Sequence, residues 1–243
     1  MNVFFRIFVL SLTLSNTVYA QSQSTESSSN TDISEEKAHP NFVFGLGYGL
    51  LDEQSLLNID FKINIPLNAY LSTQLLLNSN YLITGSSETS VAQSEFSSNW
   101  FLQNGYGRLG LGLGISEVEP MDERLETERD VIGQFIGEAF LGDFSLTANY
   151  ISTEKTLSNI TSSRLGVSYY FNDDVRTSLY REKYDDNDNG WRLETYYQPQ
   201  KYQQQGSIGI IARTGDEYDY LGMAVQYYFD HAISLKQRER EFH

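Results

Sequence analysis

From Asn41 to Phe229 the chain alternates apolar and polar residues almost without a break, and no stretch of helical length carries a competing 3.6-residue period. Such alternation belongs to strands with two unlike faces. Residues 55–65 are the cleanest case, with Leu57, Ile59, Phe61, Ile63 and Ile65 on one face and Asn58, Asp60, Lys62 and Asn64 on the other. Two strands, Arg164-Leu-Gly-Val-Ser-Tyr-Tyr-Phe171 and Met223-Ala-Val-Gln-Tyr-Tyr-Phe229, close on clustered aromatics and break at once into a polar turn. Soluble sheets have little use for aromatics at strand ends. A strand crossing a bilayer does, because amphipathic rings sit well at the headgroup level. The pattern predicts an all-β chain, an antiparallel up-and-down transmembrane β-barrel of about twelve strands.

Strands are expected over residues 42–51, 55–65, 70–84, 92–102, 106–116, 131–141, 144–152, 160–171, 175–184, 191–198, 207–213 and 218–229. Short connections such as 66–68, 103–105, 142–143 and 172–174 alternate with longer polar ones at 85–91, 117–130, 153–159, 185–190 and 214–217, several of them acidic. Short turns on the periplasmic side and longer extracellular loops suit an outer-membrane barrel, and 198–205 is the exception among the short turns. An even strand number returns both termini to the periplasm. A secreted lipocalin-like or sandwich protein is the soluble alternative, but Gly and Ser spread along the non-apolar face favour a barrel with a wet interior.

Residues 1–20 read as a cleaved secretory signal: Arg6 is its one charge, an apolar run follows, and Val18-Tyr-Ala20 offers small residues for cleavage. Residues 21–40 are Ser-rich and aperiodic, as in a disordered periplasmic leader. The barrel spans 41–229. Residues 230–243 read as a polar periplasmic tail or a thirteenth strand. The chain has no Cys, so neither disulfides nor a lipidated N-terminal Cys enters. A net charge of −15 and the lack of a basic stripe exclude nucleic acid as a partner.

These residues resemble the bacterial outer-membrane β-barrels of the porin-like type, over about residues 41–229 and in pattern more than in one motif. The most specific element is the strand-end signal that the outer-membrane assembly machinery reads in that class: a polar residue, Gly two on, then aromatics three and five further. Arg164, Gly166, Tyr169 and Phe171 fit it, and the last strand fits with Ala224 in place of Gly, then Tyr227 and Phe229. Family members usually end on that last aromatic, whereas fourteen residues follow Phe229 here. The resemblance implies the outer membrane of a Gram-negative-type bacterium, with membrane lipid, lipopolysaccharide and the assembly machinery as partners.

Three motifs point elsewhere and are outweighed. Gly105-Tyr-Gly-Arg-Leu-Gly110 matches a dinucleotide fingerprint by letters, but a turn precedes it and an alternating strand follows, where that chemistry needs a helix. Asp185-Asp-Asn-Asp-Asn-Gly190 opens like an EF-hand loop, so Asp185, Asp186 and Asp188 are candidate ligands for Ca²⁺ or Mg²⁺. Tyr196 stands where the bidentate carboxylate belongs, and the plain reading is an acidic hairpin loop. The acidic loop 117–130 reads as a solvated rim, or as a field drawing divalent cations that bridge lipopolysaccharide.

Function rests on the inward face, where the alternation places Asp60, Lys62, Glu95, Arg108, Gln134, Glu138, Arg164, Arg176, Glu182, Arg192 and Glu194. Mixed signs suit either a selective pore or ion pairs that rigidify a narrow barrel; Glu182 and Glu194 stand close enough to neutralise the arginines of neighbouring strands. The barrel enzymes of this membrane mostly use His as a base. His39, His231 and His243 all lie off the strands and loops, so no enzyme and no cofactor are expected. The leading expectation is a passive porin-like channel for ions or small polar solutes. The alternative is a closed structural or adhesive barrel.

Overall fold

Each expected strand forms and pairs antiparallel with its neighbours in sequence. The computed structural model describes residues 40–85, 90–122, 126–152, 163–183, 189–216, 218–229 and 233–241. Its strands are β1 (Asn41–Leu51), β2 (Gln54–Pro66), β3 (Leu71–Ile83), β4 (Val91–Asn104), β5 (Gly107–Pro120), β6 (Glu128–Leu141), β7 (Phe144–Ser152), β8 (Ser163–Asn172), β9 (Val175–Lys183), β10 (Asn189–Tyr197), β11 (Gly206–Gly215) and β12 (Asp219–Tyr228). The barrel closes where β1 pairs with β12, from Val43↔Tyr228 to Leu51↔Tyr220. Closure leaves no strand edge, the condition for β-structure in a medium that offers no hydrogen bonds.

The two faces separate as the alternation requires. Leu46, Trp100, Leu111, Leu113, Val131, Leu165 and Met223 stand exposed around the outside. In water a belt of this kind would aggregate, whereas in hydrocarbon it meets a matching solvent. Tyr169 and Phe171 stack edge to face at 4.9 Å on this outer surface, as do Tyr227 and Phe229 at 4.7 Å. The middle tyrosines of the same two motifs, Tyr170 and Tyr228, point inward and are buried.

Local chemistry sets the turns. Asp52 and Glu53 both have positive φ, the two-residue geometry that matches the twist of a hairpin. At the end that holds Asn41 and Tyr228, here the terminal end, Asn side chains close three turns. Asn68 Oδ1 accepts from the Tyr70 and Leu71 N–H groups, Asn104 Oδ1 from Tyr106 and Gly107, and Asn172 Oδ1 from Asp174.

Two expectations change. The acidic stretch 117–130 is not all loop, because β5–β6 pairing continues through Val118↔Glu128; Glu117, Glu119, Glu128 and Asp130 therefore stand on strands, and Arg129 pairs with Glu117 at 2.5 Å. The segment after Phe229 is not a thirteenth strand over its described residues, and the polar tail carries a helix. Leu235–Glu241 form helix α1. The unbranched residues of Leu-Lys-Gln-Arg-Glu-Arg-Glu favour helix, and Ser234 Oγ caps it by accepting from the Gln237 N–H at 3.2 Å.

Candidate functional site

The inward face of the barrel encloses a cavity of about 400 Å³. Two arcs of its wall differ in chemistry. Along β2–β4 the wall is built mostly of amides, with Asp60, Lys62 and Glu95 among them. Gln74 donates to Asn64 at 2.8 Å, Asn99 to Gln74 at 3.3 Å and Asn58 to Asn80 at 2.8 Å, while Asn80 donates to Asn78 at 2.5 Å and Asn78 to Asp60.

Along β8–β11 the wall is ionic. Glu194 accepts from Arg176 at 2.6 Å and from Arg192 at 2.7 Å, so one carboxylate serves two guanidinium groups. Glu182 is fully buried against Arg213 at 3.1 Å, with Arg192 4.0 Å away. Across the barrel, Arg108 pairs with Glu138 at 2.7 Å, and Gln134 donates to Glu95 at 2.8 Å.

The rings on this inner face lie against the wall instead of crossing the lumen. A Cβ placed on Gly166 would overlap the Tyr180 ring, and the same holds for Gly209 beneath Tyr196 and Gly110 beneath Phe101. An inward glycine on one strand thus accepts the aromatic of the next strand. Arg176 stacks on Tyr196 at 5.0 Å and Arg164 lies over Tyr180 at 5.7 Å.

The two ends of the lumen are finished differently. Leu51, Leu56, Tyr218 and Tyr220 form an apolar cluster at the loop end, with Leu82 and Ile211 packed on it. At the terminal end α1 reaches in: Glu239 accepts from Arg176 at 2.5 Å and from the Tyr170 hydroxyl at 2.6 Å, and Arg238 stacks 3.9 Å over Tyr228. Lys236 pairs with Asp143 at 2.7 Å. That ammonium, helped by Arg240, holds the Asp143 carboxyl below its ordinary range.

Of the residues expected to face inward, Asp60, Lys62, Glu95, Arg108, Gln134, Glu138, Arg164, Arg176, Arg192 and Glu194 all line the cavity, as does Ala224. Glu182 does not: Arg213 and Arg192 cover it. Arg164, Arg176 and Arg192 do not act as a basic ladder, because Arg176 and Arg192 are both taken up by Glu194. Asp185, Asp186 and Asp188 lie outside the described residues, as do His39, His231 and His243. Among the described residues no group of His, Asp or Glu is arranged to hold a metal ion.

Sequence reasoning missed Arg213, Arg238, Glu239 and the inward tyrosines. The tyrosines had a signal, since a hairpin register that sets Tyr180 opposite Gly166 marks an inward ring.

No protein-family model and no curated protein sequence matches the chain. Solved structures do match in shape. KdgM porin in complex with disordered oligogalacturonate superposes with a TM-score of 0.54 at 13% identity, covering 77% of this chain and 99% of that one. The fold is that of the bacterial outer-membrane β-barrels. An outer-membrane channel from Pseudomonas putida F1 gives 0.50 at 10% identity, covering 82% of this chain and 100% of that one. An active-site mutant of outer membrane phospholipase A from Escherichia coli gives 0.50 at 11% identity, covering 81% and 91%. Channels and a hydrolase share this architecture, so function must be argued from the lumen.

Proposed function

We propose that the protein is a passive outer-membrane channel for small polar solutes. The observation that carries this reading is the wet wall: the cavity is lined by amides and charged groups from strands all round the barrel, while the large rings are laid aside over inward glycines. A barrel of about twelve strands stands between the eight that side chains fill and the sixteen that leave a wide aqueous channel, so how its rings and charges are stowed decides whether solute passes.

The chemistry also narrows the solute. KdgM porin forms a complex with oligogalacturonate, an acidic sugar chain. The lumen here carries both signs of charge, and Arg176, Arg192 and Arg108 are each bound to a carboxylate. A neutral polyol or a small zwitterion, which exchanges hydrogen bonds with an amide wall, suits it better than a polyanion. The channel would sit with its terminal end in the periplasm, its assembly signal in Gly166, Tyr169 and Phe171 and in Ala224, Tyr227 and Phe229, and its acidic loops toward lipopolysaccharide. Absence of a His from every strand is a sequence-level reason to set hydrolysis aside.

A second reading, a closed structural or adhesive barrel, is favoured by one observation, the apolar cluster of Leu51, Leu56, Tyr218 and Tyr220 inside the loop end. Single-channel recording on the refolded full chain separates the two. Discrete conductance steps support the channel, and a silent, correctly folded barrel eliminates it.

A further inference from the structure

The segment after Phe229 has no part in barrel closure, since β12 already pairs with β1 and β11 along its length. Helix α1 is nonetheless ordered against the terminal mouth. A helix of seven residues is marginal by itself in water, so its order comes from the barrel. What holds it is mostly polar and peripheral. Arg240 donates to the Gly142 and Phe144 carbonyls at 2.8 and 3.0 Å, and Lys236 bridges Asp143 and Asp173 on two turns. Exposed ion pairs of this kind contribute little each. Leu235 is the one apolar side chain of the helix that is buried.

Two side chains of this helix go further in. Arg238 and Glu239 line the lumen cavity itself, and Glu239 reaches the inward groups Arg176 and Tyr170. Of the inward groups they touch, the Tyr170 hydroxyl gives up Glu239 when the helix leaves, while Arg176 and Tyr228 have other partners. Arg176 keeps Glu194, and the Tyr228 hydroxyl keeps Ser207 at 2.8 Å and Gln226 at 2.9 Å. A barrel that closes without the helix, and a helix that takes no part in that closure, allow two arrangements, with the helix seated and with it released.

We propose that α1 is a resident plug, which restricts passage through the terminal mouth of the lumen while seated and opens it on leaving. The inference rests on the channel reading. The twin Tyr-Tyr-Phe motifs then serve two surfaces at once: their outer rings face lipid, and their inner tyrosines, Tyr170 and Tyr228, receive the plug.

Three forms in planar bilayers test it: the full chain, a chain ending at Phe229, and the full chain carrying Asp143→Cys and Lys236→Cys joined by a short bis-maleimide cross-linker. The natural chain has no Cys, so the cross-link is specific. Truncation is expected to raise mean conductance several-fold, and the cross-linked form to conduct no more than the full chain. Should the truncated chain not fold, the double substitution Lys236→Glu, Arg240→Glu in the full chain sets like charges against Asp143, Asp173 and the carbonyls, and is expected to raise conductance likewise. Equal conductance in all forms overturns the plug and leaves the channel standing. Silence in every form overturns the channel, and the plug with it.

Discussion

The amide arc of β2–β4 and the ionic arc of β8–β11 face the same cavity but solve the burial of polar groups in different ways. Neutral amides carry donors and acceptors together, so each gap in their ladder is cheap and can be filled by water or solute. Buried charges have no such freedom. Glu194 must serve Arg176 and Arg192 together, and Glu182 must serve Arg213, or a charge is stranded where solvation is poor. The difference teaches that the paired charges of β8–β11 belong to the wall, leaving the β2–β4 arc, amides with Asp60 and Lys62 among them, as the surface offered to a passing solute.

The largest way to break that comparison is Glu194→Ala. It takes the shared carboxylate from two guanidinium groups, leaving Arg176 to Glu239 and Arg192 to Glu182 at 4.0 Å, and should cost about 3 kcal/mol, the low end for breaking a buried pair. Urea unfolding in vesicles, followed by the fluorescence of the outward-facing Trp100 and Trp191, measures it. Next comes Gly166→Ala, whose methyl displaces the Tyr180 ring from the wall; it should cost about 1–3 kcal/mol and lower conductance by swinging the ring inward. Asn80→Ala removes one rung of the amide ladder and should cost only about 1 kcal/mol. Equal losses at Glu194 and Asn80 would erase the distinction between the arcs.

The smallest effect is one of pH at the plug. Lys236 lowers the Asp143 carboxyl, so this anchor is fully present above the ordinary aspartate range and is lost as pH falls through the lowered value. Any rise in the conductance of the full chain that depends on Asp143 should therefore appear only below the ordinary aspartate range. Asp143→Asn should abolish that rise.

Much of the barrel was legible in the sequence because a period of two carries through regardless of context. Residues 55–65 display it so cleanly that the face of Asp60 and Lys62 is unambiguous, and ten of the inward polar residues follow from the same rule. What the rule hides is aromatic direction. An aromatic at a strand end defaults to the lipid belt, yet Tyr170, Tyr180, Tyr196 and Tyr228 turn inward, because a glycine on the next strand or a basic side chain receives the ring.

Pairing of the charges was equally hidden. Alternation gives the face but not the partner, so whether the arginines form a ladder or a neutralised wall depends on register. The helix after Phe229 was missed for a different reason. Its charges suit a polar tail, and the Ser234-Leu-Lys-Gln237 spacing of a capping box is the local signal that marks it as helical.

The reversal potential of the open channel under a KCl gradient in the molar range tests the central claim most directly, because at about 1 M the field of the acidic rim is screened within a few ångströms and only the lumen selects. A lumen whose β8–β11 arginines are paired with glutamates, and whose other charges, Asp60, Lys62, Glu95 and Arg164, are balanced in sign, predicts a reversal potential near zero. A value approaching the Nernst potential of either ion would mean that the lumen charges face the solute, and would contradict the account.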